Sequence, residues 1–190
     1  MSSSEEEQPK VNRGPAAGPE NRRALIAAAR EVYAEAGLNA PFSAVAKRAG
    51  VGQGSLYRHF PDRTALAVAV YEENVAELER LMEPDTSTLD DLLNRTVNQA
   101  MVSIAFVELI NGDRHDPRIA ALGARYQEVA ARLLAREQQA GRAGLHLTIE
   151  DVLLATAMLA GEIARNDPDQ RLHVATRVRG LFRLAFAPQP

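Results

Sequence analysis

From Asn21 onward, apolar residues recur every three or four positions, the spacing that lines one face of an α-helix. In the first such stretch Leu25, Ile26, Ala29, Val32 and Tyr33 fall on one side and Gly37 follows, which predicts a helix over about 21–36. Residues 42–60 read as two short helices joined at Gly50, where a positive φ carries no Cβ penalty. At about 100° per residue, Leu56 and Phe60 share the inward side with Val51, while Gly54, Ser55 and Arg58 point away. Tyr57 and His59 lie on the two flanks. A fourth helix over about 62–81 presents Leu66, Val70, Val75 and Leu78 inward, with acids at 72, 73, 77 and 79 facing solvent.

Beyond residue 85 the punctuation is entirely helical. Thr88 with Asp91, and Thr148 with Asp151, have capping-box spacing with Asp in place of Glu. Asp116-Pro117 and Asp167-Pro168 read as an N-cap followed by Pro at the first helical position. Helices are expected near 88–110, 117–140, 148–165 and 168–186, with Gly123 a candidate break in the second. No alternating strand pattern and no internal repeat appears, so the fold class is all-α. Residues 1–19, rich in Ser, Glu, Pro and Gly, read as a flexible tail.

The segment 42–60 is therefore a helix-turn-helix whose second helix has a polar outer face. Gln53 can bond adenine bidentately in a DNA major groove, and Ser55 and Arg58 can reach base edges. Tyr57, His59, Lys47, Arg48 and Arg63 are placed to contact the flanking phosphates, which positions a protein without specifying sequence.

At these residues the chain resembles a known family. Arg23 to about Leu81, and within it Ala-Gly-Val-Gly-Gln-Gly-Ser-Leu-Tyr-Arg-His-Phe-Pro-Asp-Arg-Thr-Ala-Leu at 49–66, is similar to the N-terminal domain of TetR-type transcriptional regulators. The resemblance implies a three-helix DNA-binding domain, a linking fourth helix, a divergent helical ligand-binding domain and a homodimer that usually represses transcription. By position it assigns DNA contacts to Ser43, Gln53, Gly54, Ser55, Tyr57, His59 and Arg63, the last where Lys is common. Pro41 stands where the family often has a capping Thr, so a Thr phosphate contact there is lost, and Gly52 stands where Ser is frequent. The expected division is a tail (1–19), a DNA-binding domain (20–64) and a helical effector-binding and dimerisation domain (65–190). The expected function is a ligand-responsive repressor acting as a homodimer on a palindromic operator in double-stranded DNA.

The net charge of −3 changes meaning once divided along the chain. Residues 20–63 hold seven Lys/Arg against four acids, a local +3, and the remainder carries −6. That asymmetry suits one small domain meeting phosphate. With no Cys, an acidic N-terminus and no apolar run approaching ~18 residues, the chain reads as cytoplasmic, with neither export nor a membrane span. The four histidines form no catalytic or metal pair and no phosphate-cradling glycine loop is present, so no cofactor, metal or enzymatic activity is expected. A helical adaptor remains the alternative, weakened by the Tyr, Arg and His on the polar face.

Two further surfaces carry expectations. In the 88–110 helix, Val97, Met101, Ile104 and Glu108 share a face; Glu108 either meets an effector or pairs with Arg114, Arg118 or Arg125. Met101, Ile104, Phe106, Glu108, Tyr126 and Met158 are the candidate effector contacts, with plain core packing as the alternative for the apolar ones. The last two helices are apolar over a wide arc, and Val152, Thr156, Leu159, Ile163, Ala175, Val178, Phe182 and Phe186 are candidates for a four-helix dimer interface. An intrachain core is the alternative there. Gly161 and Gly180 would permit close helix approach.

Overall fold

The computed structural model describes residues 18–102, 109 and 116–189. Among these are eight helices and no strand: α1 (Gly18–Ala36), α2 (Phe42–Arg48), α3 (Gln53–His59), α4 (Arg63–Leu81), α5 (Leu89–Val102), α6 (Pro117–Gln139), α7 (Ile149–Arg165) and α8 (Arg171–Phe186). The caps follow the sequence closely. The Thr88 and Thr148 N–H groups donate to Asp91 and Asp151 at 2.9 and 2.8 Å, and the return bonds from the Asp N–H groups to the Thr hydroxyls measure 3.1 and 3.3 Å. Asp116 accepts from the Arg118 N–H with Pro117 at the first helical position, and Asp62 accepts from the Ala65 N–H to start α4.

Several expectations change. Helix α1 begins at Gly18, inside the expected tail of 1–19, whose residues 1–17 lie outside the described residues. Helix α6 runs unbroken through Gly123, which lies between the buried Ile119 and Leu122 on one side and Val129 and Ala130 on the other, so packing outweighs the propensity cost of one glycine. Asp167-Pro168 does not open α8. The Gln170 N–H donates to the Asp167 carbonyl at 2.9 Å, an i→i+3 bond that makes the segment a tight turn. Arg171 N–H also donates to the Asp167 carbonyl at 3.2 Å, and α8 proper follows with Gln170, which contributes no side-chain cap.

Helix α1 packs on α2, α3 and α4, and these helices share one core containing Leu25, Val45, Leu56, Phe60, Leu66 and Val70. That core extends along α4 as far as Val75 and also takes in Leu109, Ile119 and Leu122. Farther along α4, Leu78 joins a second core with Leu92, Leu133 and Val152, and a third holds Leu93, Leu159, Ile163 and Ala175. Helix α4 thus crosses from the helix-turn-helix unit into the second helical layer, and the first turns of α6 reach back into the unit.

The structure turns the expected dimer residues inward. Val152, Thr156, Leu159, Ile163 and Ala175 are buried inside the chain, and Val178, Phe182 and Phe186 pack on the same cores. The orientation of α8 accounts for this. Asp90 of α5 accepts from Arg179 at 2.9 and 3.0 Å and from Arg183 at 2.6 and 2.9 Å, holding the Ala175 side of α8 against α5 and α7. The surface left over on α7 and α8 carries Leu154, Met158, Leu172, Leu181 and Leu184. No described helix is long and apolar enough to cross a membrane.

Candidate nucleic-acid interface

The turn between α2 and α3 is built by Gly50 at φ +64°. Gly50 N–H donates to Lys47 and Val51 N–H donates to Ala46, the two reversed bonds that close a helix on a left-handed residue. Helix α3 is anchored by Leu56 and Phe60, both buried. Seven residues of α3 would be marginal as a helix in water, so its direction is set by these two side chains in the core.

With Leu56 and Phe60 inward, Gln53, Gly54, Tyr57 and Arg58 are exposed, and Ser55 and His59 are partly covered. Tyr57 is 55% exposed. Its ring meets Phe42 edge to face at 5.3 Å, which fixes where its hydroxyl points without hiding it. Arg58 lies back over its own helix, with Nε donating to the Gly54 carbonyl at 3.4 Å. A Cβ added at Gly54 would touch nothing within 4 Å, so no neighbour in the chain requires glycine there.

The surrounding cations divide into free and engaged groups. Ser43, Lys47 and Arg63 are exposed. Arg48 is bound to α1: it donates to Glu31 at 3.0 Å and to Glu35 at 3.1 and 2.8 Å, and the hydrogen bonds from Arg48 pull the Glu35 carboxyl below its ordinary range. Sequence spacing gave no sign of this pairing, since Glu31 and Glu35 lie on a different helix. Arg22, absent from the sequence candidates, places its guanidinium 5.3 Å from the centre of the Phe60 ring at the end of α3.

A second unanticipated element is Arg118. Its Nη1 donates to both oxygens of Asp62 at 3.1 and 3.0 Å, while Nε and Nη2 donate to Asp116 at 3.0 and 2.6 Å. One guanidinium therefore joins the carboxylate that caps α4, immediately after the helix-turn-helix, to the carboxylate that caps α6. Hydrogen bonds from Arg118 hold the Asp116 carboxyl down at about 2. Asp62 is also lowered, chiefly by the Ala65 N–H and secondarily by Arg118. Arg125 is likewise taken, pairing with Glu79 at 2.6 and 2.7 Å.

Between α4, α5, α6 and α7 lies a cavity of about 530 Å³. Tyr126 lines it, together with Thr96, Gln99 and Thr156. Met158 does not line it and is exposed on the outer side of α7; Met101 packs on the core of α5, α7 and α8. Ile104, Phe106 and Glu108, with Arg114, lie outside the described residues. The sequence reading followed the apolar stripe of α5, whereas the cavity is met by its polar neighbours Thr96 and Gln99.

The chain was compared with known proteins. Residues 25–70 match the family model for bacterial regulatory proteins of the tetR family. The Fatty acid metabolism regulator protein of Bacillus subtilis (strain 168) is 27% identical over 140 residues, 73% of this chain and 69% of that protein. The crystal structure of a TetR transcriptional regulator from Streptomyces coelicolor superposes with a TM-score of 0.61 at 27% identity, covering 89% of this chain and 99% of that one. The fatty acid degradation regulator FadR from Bacillus halodurans shares the fold, with a TM-score of 0.58 at 20% identity over 85% of this chain and 96% of its own. The matched segment contains the whole α2–turn–α3 unit with Leu56 and Phe60 behind it, and the all-helical arrangement continues through the second layer. Over residues 25–70 the chain is thus similar to the tetR family of bacterial regulatory proteins, and over most of its length to a transcriptional regulator of that family.

Proposed function

We propose that this protein is a ligand-responsive repressor that binds a palindromic operator as a homodimer. The observation that carries the reading is the outer face of α3, where Gln53, Gly54, Tyr57 and Arg58 are exposed among the described residues and Ser55 and His59 are partly so. Gln53, Ser55 and Arg58 read base edges; Ser43, Lys47, Tyr57, His59 and Arg63 hold phosphates. Arg48 is left to its structural partners Glu31 and Glu35. Residues 20–64 are the DNA-binding domain and 65–190 the effector-binding and dimerisation domain.

Pairing uses the outer faces of α7 and α8. Leu154, Met158, Leu181 and Leu184 are exposed there, and Gly180 has no intrachain neighbour within 4 Å of a Cβ while Gly161 has only the Arg165 guanidinium at 3.7 Å. Both glycines are thus free to admit another helix closely. The two α3 helices then enter successive major grooves roughly 34–36 Å apart. An effector in the α4–α7 cavity alters that spacing through α4.

The test is fluorescence anisotropy with duplex DNA from the upstream region and with a scrambled duplex, each at two salt concentrations. Two chains bound per upstream duplex, more tightly than per scrambled duplex, support the reading; no binding to either duplex at low salt overturns it. Gln53→Ala lowers discrimination at one base position by about 1–3 kcal/mol, and Tyr57→Phe weakens binding to every sequence alike. Identical losses on all duplexes for both variants would refute the division of roles.

A further inference from the structure

Several cations around the helix-turn-helix are answered within the chain. Arg30 pairs with Glu73 at 2.6 Å, and Arg48 with Glu31 and Glu35. Arg23 and Arg58 turn back on carbonyls of their own helices, Pro19 and Gly54, both at 3.4 Å. Arg22 differs from these. It is exposed, and among the described residues no carboxylate or carbonyl accepts from its guanidinium. Its contact is with a ring, Cζ lying 5.3 Å from the centre of Phe60.

That ring is a fixed support. Phe60 is buried and closes α3, its N–H donating to the Leu56 carbonyl at 2.8 Å, so a cation seated on it keeps its place relative to the end of the helix. The π face attracts the charge without supplying a hydrogen-bond acceptor, which leaves the N–H donors of the guanidinium for an anion. His59 stands by the same ring, with centroids 6.4 Å apart, and Arg63 opens α4 three residues on. Helix α1 itself gives no reason for a cation at this point. Arg22 lies near its N-terminal end, where the helix dipole favours anions such as Glu20.

We propose that Arg22 is a phosphate-binding residue of the DNA interface: α1 grips the backbone at the C-terminal end of α3, on a phosphate beside the one that His59 meets, and Phe60 holds the guanidinium in place. The inference rests on the DNA-binding reading above and adds to it a contact from a helix outside the helix-turn-helix. It also gives the charge on this surface a direction. Pro41 supplies no side-chain donor at the start of α2 and Arg48 at its end is engaged by α1, so the grip is weighted towards the junction of α3 and α4, where Arg22, His59 and Arg63 stand.

The experiment is fluorescence anisotropy of the full chain with the upstream and the scrambled duplex across a salt series, for wild type, Arg22→Met and Arg22→Lys. Met keeps an apolar stem over Phe60 and removes the charge; Lys keeps the charge. A backbone contact is blind to sequence, so Arg22→Met is expected to bind both duplexes at least about tenfold more weakly at low salt. The slope of log K against log salt is expected to fall by about 1 per chain bound, while Arg22→Lys keeps the wild-type slope. Duplexes carrying one uncharged methylphosphonate, moved phosphate by phosphate along each strand, locate the contact. Neutralising that phosphate weakens wild type, leaves Arg22→Met unaffected, and neighbours the position to which His59→Ala becomes insensitive. Should Arg22→Met fail to melt cooperatively, Arg22→Gln, which leaves the surface polar, takes its place. An unchanged slope in the uncharged variant while wild type binds, or a fall in slope that Arg22→Lys shares, overturns the Arg22 contact alone. Wild type that binds neither duplex at low salt overturns the DNA-binding reading and the contact with it.

Discussion

A methyl group at Gly54 would touch no neighbour among the described residues within 4 Å, yet the position is glycine on an exposed helical surface. Glycine costs a helix about 0.5–1 kcal/mol relative to alanine. No described neighbour accounts for it, and the proposed DNA contact would, since a Cβ there would stand on the face offered to the groove. Gly54→Ala is therefore expected to raise stability by about 0.5–1 kcal/mol in urea unfolding and to weaken operator binding about tenfold or more, on the order of the 1–3 kcal/mol of an overpacked contact. A variant that gained stability and kept full affinity would remove Gly54 from the interface. Gly50 behaves differently: at φ +64° its alanine variant loses stability directly, by about 1–2 kcal/mol, because the backbone itself is strained.

At the scale of elements, the connection that matters most is the one Arg118 makes between the caps of α4 and α6. The next residues of α6, Ile119 and Leu122, pack in the helix-turn-helix core and also line the α4–α7 cavity. In the proposed ligand response, pressure on these turns would be passed to the start of α4, to which Arg118 ties α6. In Arg118→Met, effector is expected to bind with little change while the effector-induced loss of operator affinity shrinks, as read by anisotropy with and without ligand. The same contact has a pH signature. The Asp116 carboxyl titrates at about 2 in the folded chain against 3.8 ordinarily, so its contribution is complete above 3.8 and is lost as pH falls towards 2. The urea midpoints of wild type and Arg118→Met should accordingly converge over that interval; a constant gap would show that the pairing adds nothing to stability.

Elements defined by local rules were legible in the sequence. The caps at Thr88, Asp116 and Thr148, the stop at Gly37 and the turn at Gly50 each depend on residues within about four positions, and each stands where the spacing put it. Arg118 with Asp62, and Arg48 with Glu31 and Glu35, depend on which helix faces which, and no periodicity encodes that. The α7 and α8 residues illustrate the same boundary. Both helices are apolar over more than one face, and for α8 the Asp90 clamp on Arg179 and Arg183 accompanies the face that is core. At the cavity, the search for apolar periodicity passed over Thr96 and Gln99, whose polarity was the signal.

For the whole molecule, the proposed pairing rests on the leucine-rich outer side of α7 and α8. Leu184 is 78% exposed, so Leu184→Glu should leave the melting temperature of the isolated chain nearly unchanged. Sedimentation equilibrium should then find monomer, and operator affinity should fall to that of a single half-site. A dimer of undiminished strength would send the pairing surface elsewhere. The chain has no Trp and four Tyr, and they are distributed by role. Tyr33 and Tyr71 are sealed in the helix-turn-helix core, Tyr57 stands on the outer face beside Phe42, and Tyr126 borders the cavity. Ultraviolet emission from the unlabelled protein thus has one emitter at each working surface and two enclosed references. Paired Tyr57→Phe and Tyr126→Phe samples can then follow operator and effector occupancy separately in one cuvette.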